Sequence, residues 1–185
     1  MNLRPVPLTF CLAMTTLTAS PTAPAVPHAG HVRTEREHAF TVALPPAEAF
    51  TFFEPIGEKR WAEGWQPVFA SAEDAQLHDG SVFTVESPQP DGSVIRSVWT
   101  VSCYEPSRLI EYRNVLLGLR ATQITVRCEP HASGTRVTVR YVYHGLSEQG
   151  DQLIGKMTPN AYRAMIDGWG TAIADYLKRG TPASL

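Results

Sequence analysis

The sequence predicts an α+β fold in which an antiparallel sheet packs against one long C-terminal helix, with two short helices after the first strand. Three observations support this prediction. Short alternating segments joined by tight turns fill the middle of the chain, apolar residues recur every three or four positions after residue 145, and a proline-rich stretch follows the first alternating segment. With 185 residues, the chain is long enough for about one domain and an extension.

The composition is that of an ordinary globular protein. Hydrophobic residues make up 43% and charged residues 18% of the chain, a mixture that can bury a sizeable core. Lys and Arg number 16 against 18 Asp and Glu. Because no excess of positive charge is available to neutralise a phosphate backbone, we expect no nucleic-acid partner.

The first 35 residues resemble either a secretory signal or a disordered leader. Arg4 precedes a moderately apolar run over residues 6–19, and Ala23-Pro24-Ala25 has the small residues of a cleavage site. Threonines and prolines dilute that run, as in disordered leaders. Both interpretations stay open: the protein is exported if residues 1–25 act as a signal peptide, and a cytoplasmic location is favoured otherwise. The run is shorter than the roughly 20 residues of a membrane-spanning helix, so we expect no membrane span.

The three cysteines, Cys11, Cys103 and Cys128, favour neither a metal site nor a disulfide scaffold. They form no CxxC motif and no cluster with histidine at metal-ligand spacing. A third predicted strand separates Cys103 from Cys128, whereas bridged Cα atoms lie within about 7 Å. We therefore expect two free, buried thiols and no metal.

The first strand and the two short helices are predicted from the alternation of polar and apolar residues and from the positions of prolines. A strand is predicted over residues 36–44, because polar and apolar residues alternate there. Pro45-Pro46 ends it. Two short helices follow, over residues 47–53 and 57–63, and Pro55 is expected to end the first of them.

Strand-like segments bounded by turn residues then succeed one another at short intervals. They cover residues 67–72, 81–86, 93–104, 109–117, 121–128 and 135–144. Asp79-Gly80, Asp91-Gly92 and Ser133-Gly134 are typical of tight hairpin turns. Because parallel neighbours need longer crossovers, these strands are predicted to form an antiparallel meander.

Helical periodicity begins after His144-Gly145. The apolar residues that recur every three or four positions are Leu153, Met157, Ala161, Met165, Trp169, Ile173 and Tyr176. A short helix is predicted over residues 147–156 and the main helix over residues 159–178. Thr158-Pro159 suits its N-terminus, and Gly180 is expected to end it. Residues 181–185 are left as a tail.

The order of elements over residues 36–180 resembles the SRPBCC (START/Bet v 1-like) superfamily. The segments that carry the resemblance are Leu44-Pro45-Pro46-Ala47-Glu48-Ala49-Phe50, Trp61, Asp79-Gly80-Ser81-Val82-Phe83, Glu105-Pro106-Ser107-Arg108-Leu109-Ile110-Glu111-Tyr112 and Gly134-Thr135-Arg136-Val137-Thr138-Val139. The nearest types are polyketide cyclase/dehydrase-like and Hsp90-ATPase-activator-like bacterial domains. The resemblance implies a helix-grip fold, in which a curved sheet wraps around the long helix and leaves a mostly apolar cavity of about 300–1,000 Å³. It supplies no catalytic motif and implies no cofactor.

Aromatic and methionine side chains are the candidate ligand-binding residues. They are Trp61, Trp65, Trp99, Tyr112, Tyr141, Met157, Tyr162, Met165 and Trp169. Indole and phenol groups offer a large apolar face and one polar tip, which can orient a ring-shaped ligand. Packing in the core is the alternative role for each of them, and it is the favoured role for the aromatic residues and the methionines alike.

His144, Tyr143 and Arg96 are the candidates for proton transfer or for stabilising an enolate. His144 ends the last strand, near the expected mouth of the cavity, and histidine titrates near neutral pH. Arg96 is expected on the outer face, because the opposite parity of its strand is apolar. The same argument puts four further charged residues on the solvated face: Glu111, Arg113, Arg136 and Arg140.

Three functions compete. The first is binding of a small hydrophobic or amphipathic molecule in the cavity between sheet and C-terminal helix, which requires an aromatic-lined pocket. The second is a polyketide cyclase/dehydrase-like enzyme, which requires convergent polar side chains in that cavity. The third is a chaperone-cofactor-like interaction domain with a filled core and an exposed apolar patch. Whether a reaction is catalysed, which ligand is bound and the oligomeric state are not predicted.

Overall fold

The computed structural model describes residues 30–88 and 92–180. The predicted leader as far as residue 29, with Cys11, and the predicted tail lie outside this part. The described strands are β1 Arg33–Val42, β2 Pro67–Phe69, β3 Val82–Pro88, β4 Val94–Glu105, β5 Leu109–Leu116, β6 Arg120–His131 and β7 Gly134–Gly145. The α-helices are α1 Pro46–Phe50, α2 Pro55–Glu58, α3 Glu148–Gly155 and α4 Pro159–Arg179, and 3-10 turns cover Thr51–Phe53 and Asp74–Gln76.

The strands form one curved antiparallel sheet in the order β1-β7-β6-β5-β4-β3-β2. The meander from β2 to β7 is confirmed, and β1 pairs with β7 at the far edge. Neighbouring positions on β5, β6 and β7 form inward-facing rows across the sheet. One row is Tyr112, Ile124 and Tyr141, and the next is Asn114, Thr122 and Tyr143. The inner face, with α4 against it, carries the core.

The segment between β1 and β2 differs from the prediction at Pro55. This proline begins α2 instead of ending α1, because a first-turn position needs no N–H donor and favours a φ near −65°. Helix α1 ends at Phe50 and continues into the 3-10 turn. As a result α2 lies earlier in the chain than predicted, and Glu58 is its last residue.

The connection between β2 and β3 is longer than predicted. Strand β2 ends at Phe69, and a 3-10 turn lies between the two strands. The Gly80 N–H donates a hydrogen bond to the carbonyl of Val101, at 2.8 Å. Asp79-Gly80 forms the expected tight turn, with the Ser81 N–H donating to the His78 carbonyl at 3.1 Å and a Gly80 φ of +99°. This turn joins the loop to β4 and does not close a two-residue hairpin, so the hairpin part of the expectation was wrong.

A β-bulge in β4 reverses the alternation that the sequence suggests. The pairing of β4 with β5 shifts between Val101 and Cys103. Beyond the shift Tyr104 faces inward against Phe50, with ring centroids 6.0 Å apart, and the half-buried Cys103 lies beside Glu111 on the outer face. Both Cys103 and Cys128 are free, as expected, but only Cys128 is buried.

Helix α4 begins and ends where the sequence predicts. The Thr158 hydroxyl accepts a hydrogen bond from the Ala161 N–H at 3.2 Å, and the helix ends at Gly180, which has a φ of +73°. The buried positions are Tyr162, Ile166 and Ile173. Leu153 and Ala161, which belonged to the predicted stripe, are exposed, so the buried face is rotated relative to that stripe.

Alanine substitutions at two glycines of α4 are expected to have opposite effects on stability. A Cβ at Gly170 would lie 2.9 Å from Cδ2 of Phe40, whereas one at Gly168 would meet nothing within 4 Å. We expect Gly168→Ala to raise the free energy of unfolding by about 1 kcal/mol, since alanine favours helix. Gly170→Ala should lower it by about 1 kcal/mol, because displacing Phe40 outweighs the helical gain. Urea denaturation of both variants measures the difference, and equal stabilities would contradict this packing of α4 on β1.

Charged residues of the central strands lie on the outer face as predicted. Arg96 pairs with Glu86, Arg113 with Glu111 at 3.1 Å, and Arg140 with Glu35 at 2.7 Å. Arg136 is exposed. Among the helices of the described part, none is long and apolar enough to cross a bilayer.

Candidate functional site

An open cleft of about 350 Å³ lies between the inner face of the sheet and the segment that follows α2. Its lining residues come from that segment and from β3 to β6: Ala62, Glu63, Gly64, Trp65, Val85, Ser87, Ile95, Ser97, Trp99, Asn114, Leu116 and Arg120. No residue of α4 lines it. The cleft volume falls within the range of about 300–1,000 Å³ that is typical of small-molecule sites.

Trp65 and Trp99 form the aromatic walls of the cleft. Their ring centroids lie 5.2 Å apart at 85°, and Phe83 packs behind both, at 6.2 Å and 5.9 Å. The Trp65 indole N–H donates to the carbonyl of Pro55 at 2.8 Å, and that of Trp99 donates to the Ser97 hydroxyl at 2.9 Å. Because both N–H groups already have acceptors, these rings offer a ligand their apolar surfaces.

Polar groups are concentrated on the β5–β6 side of the cleft. Arg120 donates from Nη1 to the Thr122 hydroxyl at 2.6 Å, and its guanidinium lies 6.0 Å from the ring centre of Tyr143. These contacts leave its remaining N–H groups without acceptors among residues 30–88 and 92–180. Asn114 is buried, and its amide nitrogen makes one long contact, 3.4 Å, to the Val98 carbonyl. The cleft therefore combines an apolar wall with hydrogen-bond donors at one side.

A second group of rings, the inner aromatic layer, lies behind the cleft and consists of Trp61, Tyr112, Tyr141 and Trp169. Trp61 lies 5.4 Å from Trp169, and Trp169 lies 6.4 Å from Tyr141. The layer reaches the cleft wall through Tyr112, which contacts Trp99 at 5.8 Å. Tyr141 contacts Tyr143 at 5.4 Å, and the Tyr143 ring lies 6.0 Å from the guanidinium of the cleft residue Arg120.

Two of the four polar tips of this layer are already bonded to the backbone. Trp61 donates to the carbonyl of Phe52 at 2.7 Å, and the Tyr112 hydroxyl donates to that of Phe53 at 2.7 Å. The Tyr141 hydroxyl and the Trp169 indole N–H have no hydrogen-bond partner in the described part of the chain. Tyr141 is therefore the ring of this layer whose polar tip can still accept a hydrogen bond, since an indole N–H only donates.

Glu58, the last residue of α2, carries a carboxyl group just before the segment that lines the cleft. Its carbonyl accepts hydrogen bonds from the N–H groups of Trp61 and Ala62, at 3.1 Å and 2.8 Å, which fixes it one turn before the cleft. Its carboxyl forms neither a hydrogen bond nor an ion pair with any described residue. Burial raises its pKa well above the usual value. Its charge in turn helps to raise the pKa of Tyr112 and Tyr141, for which burial is the larger cause.

The unpaired oxygens of Glu58 and Tyr141 face accessible space. Both residues are only partly buried by surface area although protein surrounds them. Among the described residues, no fully inaccessible side-chain polar atom lacks a partner. Since these oxygens lack partners, they are accessible to water.

The burial of Glu58 predicts a pH-dependent stability. Because its folded pKa lies above the unfolded value of about 4.5, its contribution to stability falls as the pH rises above 4.5. We expect Glu58→Gln to be more stable than the wild type at pH 8, and the gain to shrink towards pH 4. Urea denaturation at both pH values measures this. Glu63→Gln, which removes a carboxyl at the exposed rim, is the control and should show no such gain. A change in stability of Glu58→Gln that is equal at pH 4 and pH 8 would contradict the burial argument.

The structure divides the nine candidate ligand-binding residues into three groups. Trp65 and Trp99 line the cleft, and four others form the inner aromatic layer. Tyr162 is buried and donates its hydroxyl to the Val139 carbonyl at 2.8 Å, so it belongs to the core. Met157 and Met165 are partly buried against the core.

Of the three candidates for acid/base chemistry, two lie away from the cleft. His144 is exposed on the face of β7 opposite to Tyr143, and Arg96 is exposed and paired with Glu86. The expectation that His144 lies at the cavity mouth was wrong, because strand alternation turns it outward. Tyr143 faces inward, and burial raises its pKa to about 12.

Sequence reasoning missed four polar residues of this region: Glu58, Asn114, Arg120 and Thr122. Arg120 was missed because the predicted strand began at residue 121, whereas β6 begins one residue earlier. The signal that could have found it is parity, since Arg120 continues the inward set of Thr122 and Ile124. In the ranges 30–88 and 92–180, no three His, Cys, Asp or Glu residues come together as a metal site would require.

Residues 32–174 match the family described as polyketide cyclase / dehydrase and lipid transport. The chain belongs to this family. It is thereby a member of the SRPBCC superfamily, and its helix-grip fold is confirmed by Bet v 1-like structures. No match was found among curated proteins.

Solved structures share the fold of this family member at low sequence identity. An uncharacterised Rhizobium leguminosarum protein is 16% identical, with a TM-score of 0.59, over 81% of this chain and 97% of its own. Ara h 8.0201 is 14% identical, with a TM-score of 0.59, over 80% and 100%. The di-domain ARO/CYC StfQ of the steffimycin biosynthetic pathway is 15% identical, with a TM-score of 0.56, over 79% and 52%.

Proposed function

We propose that this family member binds a small hydrophobic or amphipathic molecule in the cleft between the sheet and residues 62–65. The observation that supports it is the open cleft of about 350 Å³, walled by Trp65 and Trp99. The apolar body of the ligand would lie against these two rings, since burying apolar surface contributes about 25 cal/mol per Å². Its polar end would meet Arg120 and Asn114.

Arg120 is the residue that favours an amphipathic ligand over a purely apolar one in this proposal. Its free N–H groups can donate to a ligand oxygen without breaking the bond to Thr122. A purely apolar ligand would leave that guanidinium beside it without a new acceptor. An oxygen at the Arg120 end of the ligand is therefore favoured.

The test is a thermal-shift screen of the full chain with fatty acids, sterols and polycyclic aromatics, alongside a variant with a blocked cleft. Ala62 lines the cleft, so Ala62→Trp should fill it. Ala132, in the exposed turn between β6 and β7, gives the matched control Ala132→Trp. A ligand at about 100 times its Kd should raise the Tm of wild type and control by roughly 5 °C, and should leave Ala62→Trp unshifted. No shift across the screen, or an equal shift in Ala62→Trp, would refute the proposal.

A further inference from the structure

The guanidinium of Arg120 lies beside the Asn114 side chain at one end of the cleft. Its Nη1 donates to the Thr122 hydroxyl at 2.6 Å, so the group is folded back along β6 to the level of Thr122. Thr122 pairs directly with Asn114 on β5, and the Cβ atoms of such pairs lie about 4.5–5.5 Å apart. Because Asn114 and Arg120 both line the cleft, two hydrogen-bond donors meet at the same place.

The positive charge of Arg120 has no counter-charge in the described part of the chain. No Asp or Glu of residues 30–88 and 92–180 forms an ion pair with it, whereas Arg96, Arg113 and Arg140 on the outer face each pair with a glutamate. Glu63 is the other charged residue among those that line the cleft, and it is exposed at the rim. Since a guanidinium is charged at every ordinary pH, Arg120 favours an anion as its partner.

A carboxylate fits these two donors better than other anions. The planar guanidinium fork can donate to both oxygens of a carboxylate at once. Asn114 is only 3% exposed, and its amide nitrogen makes one long contact, 3.4 Å, to the Val98 carbonyl, so an N–H remains for one of those oxygens. Arg120 is the single cation among the described lining residues. A phosphate dianion would therefore keep one charge unpaired, whereas a carboxylate would not.

The apolar wall begins one strand away from this polar end. Trp99 pairs directly with Asn114 across β4 and β5, and Asn114 pairs with Thr122 across β5 and β6. With neighbouring strands about 4.8 Å apart, the Trp99 position lies about 10 Å from that of Thr122, where the guanidinium is held. A ligand that spans this distance has its acid group a few methylene groups from its apolar body.

We propose that Arg120 and Asn114 bind the carboxylate of a ligand whose apolar body lies against Trp99 and Trp65. This inference rests on the proposed function and adds a substrate class to it, namely arylalkanoic acids, since flat rings pack well on indole rings. The carboxylate oxygens accept hydrogen bonds from both residues, and the bond from Arg120 to Thr122 stays in place. Binding forms and breaks no covalent bond.

The experiment is calorimetric titration of the full chain with ω-phenylalkanoic acids of increasing chain length, with their matched primary amides and with the phosphonate of equal length. We expect the best acid to bind the wild type at least about tenfold more tightly than its amide, because charge-assisted hydrogen bonds are stronger than neutral ones. Arg120→Gln should remove that preference. The control Arg127→Gln removes the same charge from the opposite face of β6, where Val126 and Cys128 on either side are buried, and should keep the preference.

Asn114→Asp gives a second variant, in which the protein itself supplies the missing carboxylate. Aspartate has nearly the same volume as asparagine, and at this position it would compete with the ligand for the guanidinium held on Thr122. We expect the affinity for the acid to fall at least about tenfold and the affinity for the amide to change less. The control Asn160→Asp adds the same charge at the exposed start of α4 and should leave the acid affinity unchanged.

Several results would overturn the carboxylate assignment. They are equal binding of acids and amides, a preference for the acid that survives in Arg120→Gln or in Asn114→Asp, and tighter binding of the phosphonate than of the acid. Such results leave the proposed function intact if the amides bind the wild type and not Ala62→Trp. Absence of binding for acids and amides alike would also refute the acid class, and absence of every shift in the thermal screen would remove the site itself.

Discussion

Phe83→Ala is expected to lower the free energy of unfolding by about 4 kcal/mol. Phe83 is fully buried, and four rings lie within 6.2 Å of it: Trp65, Phe69, Trp99 and Tyr112. Removing it deletes the contacts that support both walls of the cleft and leaves a cavity that the rigid rings cannot close. Guanidinium denaturation, followed by tryptophan fluorescence, measures the loss.

Phe83→Leu is the matched control for this prediction. It keeps most of the apolar volume and should cost about 1 kcal/mol. If Phe83→Ala loses as little as the leucine variant, the neighbouring rings have collapsed into the gap, and the cleft walls are less rigid than the packing indicates. Ligand shifts in the thermal screen should be weaker in Phe83→Ala than in Phe83→Leu for the same reason.

Gly57→Ala should lower the free energy of unfolding by about 3 kcal/mol. A Cβ at this position would overlap the carbonyl oxygen of Thr51, a backbone atom, so the 3-10 turn and α2 would have to separate. Because Glu58 follows directly, this separation would also move its carboxyl and the start of the cleft segment. Denaturation midpoints report the stability, and the ligand shift in the thermal screen reports the site.

Gly155→Ala serves as the control for Gly57→Ala. Gly155 also lies in a short helix, and a Cβ there would meet nothing within 4 Å. We expect its stability to be unchanged or slightly higher. A Gly57→Ala variant as stable as Gly155→Ala would show that α2 can move away from the 3-10 turn without loss, contrary to the close packing described.

The sequence carried enough information to predict the fold because its signals are periodic and local. Alternation identified the strands, the three-to-four spacing identified α4, and Thr158 and Gly180 marked its ends correctly. The family resemblance rested on segments such as Leu44–Phe50 and was confirmed by the match over residues 32–174. Antiparallel order followed from short connections alone.

The errors arose where tertiary structure overrides local pattern. Alternation in β4 continues through Cys103 in the sequence, but the bulge turns Tyr104 inward instead. No local signal marks that bulge, because it depends on the pairing with β5. Pro55 was read as a helix end, although a proline at the first helical position is equally compatible with a helix start.

The candidate site was predictable only in its aromatic part. Large rings were sound candidates because of their size, and the structure brings six of the nine to the cleft or the layer behind it. Glu58 could not be distinguished from other acidic residues, since α2 is four residues long and shows no amphipathic period. Its charge acts on Tyr112 of β5 and Tyr141 of β7, two strands that come much later in the chain.

Strand β2 forms one edge of the sheet, and its short length and its proline affect the solubility of the protein. It is three residues long and begins with Pro67, which has no backbone N–H. An edge that offers so few open donors is a poor template for a strand from another molecule. On this side, an open sheet can therefore keep an accessible cleft without promoting edge-to-edge aggregation.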